Sequence, residues 1–138
     1  MNELIVVIGS NDGIRVFNGH LGDSKKFYIY KVMRKGGWSL LREIENTFPE
    51  EKVHGGPEKM KNVLSLIGNV DILVSKKNSP NFKKIAATKP IQPVRVLGET
   101  VEEALNAIVE NFELLSSMIE KRRKGFREEN IPRLGKPS

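Results

Sequence analysis

The sequence of 138 residues contains no cysteine. That absence excludes disulfides, thiolate-held iron–sulfur clusters, cysteine zinc sites and cysteine nucleophiles together. Histidine is scarce, with two in the chain, His20 and His54. Two imidazoles cannot make a permanent all-histidine metal site, although with carboxylates they could serve a weaker one. No apolar run approaches the ~18 residues that a membrane span needs. The start, Met1-Asn2-Glu3, has no basic segment of the kind that opens a secretory signal. We expect a cytoplasmic protein. Enzyme signatures are missing too: there is no nucleophile elbow, no Walker-type loop and no Gly-x-Gly-x-x-Gly. Aromatic residues make up 7%, and none is interleaved with a basic stretch as in single-strand binders.

What is present is positive charge. Lys and Arg number 23 against 17 Asp and Glu, a formal net charge of +6. This excess favours anionic partners: nucleic acid, phosphate-bearing ligands or an anionic metal cluster. Part of it sits in Lys121-Arg122-Arg123-Lys124, which reads as a solubilising tail.

The apolar pattern places the elements. Leu4 to Ile8 is a β-branched run ended by Gly9-Ser10-Asn11-Asp12-Gly13, a buried strand followed by a turn. Ile14 to Phe17 reads as a brief strand. Phe27 to Val32 and Trp38 to Ile44, joined by Lys35-Gly36-Gly37, form a hairpin. Pro57 opens a helix with Met60, Val63, Leu64 and Ile67 at helical spacing, ended by Gly68. Val70 to Val74 is a buried strand, Ser79-Pro80 caps a second helix, and Val94 to Leu97 is a last strand. Thr100 and Glu103 make a capping box for one long helix through Ile119. Alternating helices and strands require crossovers. The predicted fold is therefore α/β: three layers, α/β/α, with a mixed five-stranded sheet. A single domain covers residues 1–119, and residues 120–138 form a basic C-terminal tail.

The candidate site is Asn18-Gly19-His20-Leu21-Gly22. Gly19 and Gly22 leave the His20 imidazole uncrowded, and Lys25-Lys26 follow with positive potential beside a neutral nitrogen ligand. The spacing alone also reads as an idle histidine in a glycine-rich turn. His54 precedes a helix N-terminus, where free N–H groups favour anions, but is also explained as part of a lead-in loop. Ser79 lies after a parallel strand, where α/β sheets gather ligands, and capping alone accounts for it. Asp12, Glu43 and Asp71 could form the carboxylate cluster of a metal-dependent nuclease. Lys76-Lys77, Lys83-Lys84 and the tail could make a nucleic-acid footprint.

The run from Asn18 to Val32 resembles the "Asp-Gly-His-Phe-Gly-Ser-Cys" segment, with its following Phe and Tyr-ending strand, of NifX-like proteins. These belong to the dinitrogenase iron–molybdenum cofactor biosynthesis family, together with the nitrogenase accessory factor core domain. Gly98 to Leu105 is similar to the family's Gly-x-Thr-x-Glu-Glu-Ala-Leu ending, and the likeness runs from about Glu3 to Met118. The resemblance implies a ribonuclease-H-like fold and a non-catalytic carrier. Its cargo would be an iron–molybdenum cofactor, or an iron–sulfur precursor, in transit between cluster donor and acceptor proteins. It implies His20 as the cluster ligand, and the candidate site takes Gly19, Gly22, Ser24, Lys25, Lys26, His54 and Ser79 with it. Two positions depart from the pattern: Leu21 replaces the family phenylalanine, and Ser24 replaces its cysteine.

Overall fold

In the computed structural model, residues 1–47 and 57–137 are described. The β-branched run near the N-terminus becomes β1 (Glu3–Ser10), longer at both ends than the apolar core that marks it. It pairs antiparallel with β2 (Lys26–Met33), which pairs antiparallel with β3 (Trp38–Glu45). The expected hairpin is present, and Gly36 and Gly37 turn it at φ of 99° and 83°, a region closed to most side chains. A bulge between Ile29 and Tyr30 shifts the β2–β3 register. β3 is an edge strand that leaves Leu40 and Leu41 exposed.

On its other side β1 pairs parallel with β4 (Ile72–Ser75), and β4 pairs parallel with β5 (Gln92–Val96). The sheet order is β3-β2-β1-β4-β5-β6, so it has six strands where five were expected. The extra strand, β6 (Arg133–Leu134), comes from the stretch expected to be a tail. Leu134 is buried and pairs in register with Val96, so the chain end adds to the core. The brief strand expected at Ile14–Phe17 reduces to one bridge between Arg15 and Thr100.

Helices cover both faces. α1 (Pro57–Ile67) and α2 (Pro80–Thr88) bury Met60, Val63, Ile67, Phe82 and Ile85 against Val7, Phe27, Ile29 and Leu73. Ser79 caps α2 as its sequence suggests, its Oγ accepting from the Phe82 N–H at 3.1 Å. The opposite face packs Val6, Ile8, Ile72, Val74, Val94 and Val96 against α3 (Val101–Glu110) and α4 (Phe112–Arg123). These two replace the single long helix expected. The break falls at Asn111, whose Nδ2 donates to the Ala107 carbonyl at 2.8 Å and competes with the helical ladder. The Thr100–Glu103 capping box is formed. The described helices include none long and apolar enough to cross a membrane.

Candidate functional site

Parallel strands end together, and their following loops crowd one rim of the sheet. There β1 gives way to the loop that leads to His20, and β4 gives way to residues 76–79 and the start of α2. The first loop is set by an Asx turn: the Asp12 carboxylate accepts the Ile14 and Arg15 N–H groups, each at 2.9 Å. Those bonds, the Arg15 one foremost, hold its carboxyl below the usual carboxylate value. The chain then crosses β4, where Ser75 Oγ donates to the Gly19 carbonyl at 3.2 Å. A single 3₁₀ turn, Leu21–Asp23, returns it to β2.

This path brings His20 and Gly22 against α1 and the N-terminal end of α2. Asp23, Lys59, Met60, Ser79, Pro80 and Asn81 complete a cavity of about 110 Å³. At ~30 Å³ per water, that is room for a few solvent molecules. The Nδ1 of His20 is shut off from solvent and has no hydrogen-bond partner. A buried polar atom left unmade costs about 1–3 kcal/mol, a deficit that a ligand at this loop would relieve.

The glycines around His20 serve the loop's own packing. A Cβ on Gly19 would lie 2.6 Å from the Phe17 ring, and one on Gly22 would rest against the Lys59 stem at 3.6 Å. Lys59, which the sequence reading passed over, is the site's buried cation at 2% exposed, paired with Asp23. It occupies the inner side of α1 beside Met60 and Val63, where helical spacing leads one to expect a hydrophobe. Positive potential comes from the α2 N-terminus through the helix dipole, while Pro80 carries no N–H and that of Phe82 is taken by Ser79.

The other expected residues lie elsewhere. Lys26 Nζ donates to Glu43 at 2.7 Å across the β2–β3 pair, which raises its pKa above the ordinary lysine value. It does not line the cavity, and neither does Lys25, which is exposed. Ser24 is fully buried, with Oγ 3.0 Å from the Leu21 carbonyl and 3.1 Å from that of Lys26. It closes the 3₁₀ turn and does not face the cavity. His54 lies outside the described residues.

The carboxylates of the nuclease reading are dispersed: Asp12 in its Asx turn, Glu43 on Lys26, and Asp71 on the Ile5 N–H and Arg123. Among the described residues no group of three His, Asp or Glu side chains could hold a metal ion.

Gly9, at the end of β1, is where the His20 loop meets the sheet. A Cβ there would lie 2.6 Å from Ser24 Oγ and 2.9 Å from Leu21 Cδ1. Both atoms are buried, so neither can swing into solvent. Gly9→Ala is therefore expected to cost about 1–3 kcal/mol by overpacking, read as a lower urea midpoint, with shifted His20 ring signals in NMR. An unchanged midpoint would mean the loop is not held against β1 as described.

A family model described as dinitrogenase iron-molybdenum cofactor matches residues 2–111. No curated protein and no solved structure matches the chain. The matched span takes in the His20 loop, both helices at the cavity and the Thr100 capping box. The chain belongs to the dinitrogenase iron–molybdenum cofactor family.

Proposed function

We propose that this protein is a cytoplasmic, non-catalytic carrier that holds an iron–molybdenum cofactor, or its iron–sulfur precursor, through His20. The single observation that supports the ligand is the buried, unpartnered Nδ1 of His20 beside the cavity. The family membership supports the cargo. The donor set suits a guest that brings its own sulfides. With no cysteine in the chain, the protein contributes one imidazole, a borderline ligand that suits iron. The dipole at the α2 N-terminus would oppose the negative charge of the cluster. One protein–metal bond also suits transit, because an acceptor with more ligands outcompetes it. The strand order β3-β2-β1-β4-β5, with the switch from antiparallel to parallel at β1, supports a ribonuclease-H-like description, with β6 as an addition.

The test is uptake and release without oxygen. The full chain is mixed with isolated iron–molybdenum cofactor, desalted and assayed for metals, then mixed with apo-dinitrogenase. Co-elution of iron and molybdenum at a single cluster per chain, followed by recovery of dinitrogenase activity, is the expected result. Passage of the cofactor through the column unretained would end the carrier reading.

A further inference from the structure

A second concave surface lies on the α2 side of the sheet, shares no lining residue with the His20 cavity, and is unbalanced in charge. It is a groove of about 600 Å³ between α2 and the β5–β6 edge, lined by Asn78, Lys83, Lys84, Arg95 and Arg133, with Glu129 as its one carboxylate. Arg95 and Arg133 are register partners on parallel strands, so their side chains leave the sheet on the same face. Like charges set side by side on a sheet face destabilise it. Val96 and Leu134, the next residues, point into the opposite core, which fixes the two arginines on the α2 side. Arg95 is pinned there as its Nε and Nη2 donate to the Lys76 carbonyl at 3.4 and 3.3 Å. Lys83 and Lys84 enter from α2, one helical turn past its cap. Among the described residues none of these four cations is in an ion pair.

We infer that this groove binds a compact polyanion of the diphosphate class, either free or carried by a nucleotide. Two arginines that share a face present planar donors matched to phosphate oxygens, and lysines add point charges. The recess favours a small anion with adjacent charges over a single one. Its volume also lies within the ~300–1,000 Å³ of small-ligand sites.

The experiment is calorimetric titration of the full chain at low salt with inorganic pyrophosphate, ADP and orthophosphate. Pyrophosphate and ADP should bind saturably at one site, with orthophosphate weaker by at least about tenfold. Arg95→Gln with Arg133→Gln should weaken pyrophosphate about tenfold or more, since both charge-assisted donors to the phosphate oxygens are lost. Lys83→Gln with Lys84→Gln, both exposed, should weaken it without touching the sheet. Lys121→Gln, outside the groove, is the control. No saturable binding, or equal losses in the control, overturns the inference. So does single-stranded oligonucleotide that displaces pyrophosphate with an affinity rising with length, which marks an extended groove.

Discussion

Arg122→Ala should lower the stability of the fold by about 3 kcal/mol. Arg122 is 1% exposed at the end of α4. Its Nη2 donates to the carbonyls of Ile85, Ala86 and Lys89 at 3.0, 2.6 and 2.7 Å, and its Nη1 donates to that of Glu128 at 3.1 Å. Ile85 and Ala86 lie in the last turn of α2 and Lys89 is its C-cap; the Ile85 carbonyl also accepts the Lys89 N–H at 2.8 Å, and the dipole is negative there. One guanidinium thus closes α2, ties it to α4 and fixes the turn before β6. Burial, and then the nearby Arg127, hold its pKa below the ordinary arginine value, the expected direction for a cation out of water.

Truncation to alanine removes the donors and leaves the α2 carbonyls to whatever water can enter. A hydrogen bond to a charged group contributes about 1.5–3 kcal/mol, and bonds that share one donor group do not add in full. For a chain of this length a loss near 3 kcal/mol lowers Tm by roughly 10 °C or more. Arg122→Lys should recover less than half of it, because an ammonium cannot span the same carbonyls. A urea midpoint for Arg122→Ala within error of wild type would show that the contact is not part of the fold.

His20→Ala should do the reverse: leave stability alone and remove cargo retention. The side chain is partly exposed and its Nδ1 has no partner, so its loss breaks no described hydrogen bond. Stability should fall by no more than about 0.5 kcal/mol, since the change also removes the unmade Nδ1. Cofactor affinity should fall by at least ~100-fold, since even removing a hydrogen-bond partner behind a metal-bound histidine costs about 10–100-fold. The pair separates the two roles: Arg122→Ala weakens the fold, and His20→Ala spares it while emptying the site. Comparable retention by wild type and His20→Ala would leave the carrier reading standing but move the ligand elsewhere.

Periodicity and capping carried most of the fold. Ser79 and the Thr100–Glu103 box marked their helix starts because the signal lies within three residues of the cap. Arg122 was illegible for the opposite reason. Lys121-Arg122-Arg123-Lys124 reads as a solvated run, and only the distant α2 carbonyls separate its buried member from exposed neighbours. The two residues of β6 are too short to show alternation, and they pair only because β5 offers a free edge. At the site, the glycine-flanked His20 was visible, whereas Lys59 was hidden by its place among hydrophobes. Ser24, which the resemblance sets at the position of a family cysteine, spends its hydroxyl on the Leu21 and Lys26 carbonyls.

The central claim is a bond between His20 and the metal cluster, and magnetic coupling reports that bond. The protein would be prepared with isotope-labelled histidine, loaded with iron–molybdenum cofactor without oxygen, and examined by pulsed electron paramagnetic resonance. With two histidines in the chain, His20→Gln and His54→Gln variants make the assignment complete. The account predicts a histidine nitrogen coupling in wild type that survives in His54→Gln and vanishes in His20→Gln. A coupling that persists in His20→Gln, or a loaded wild-type protein with none, would contradict it.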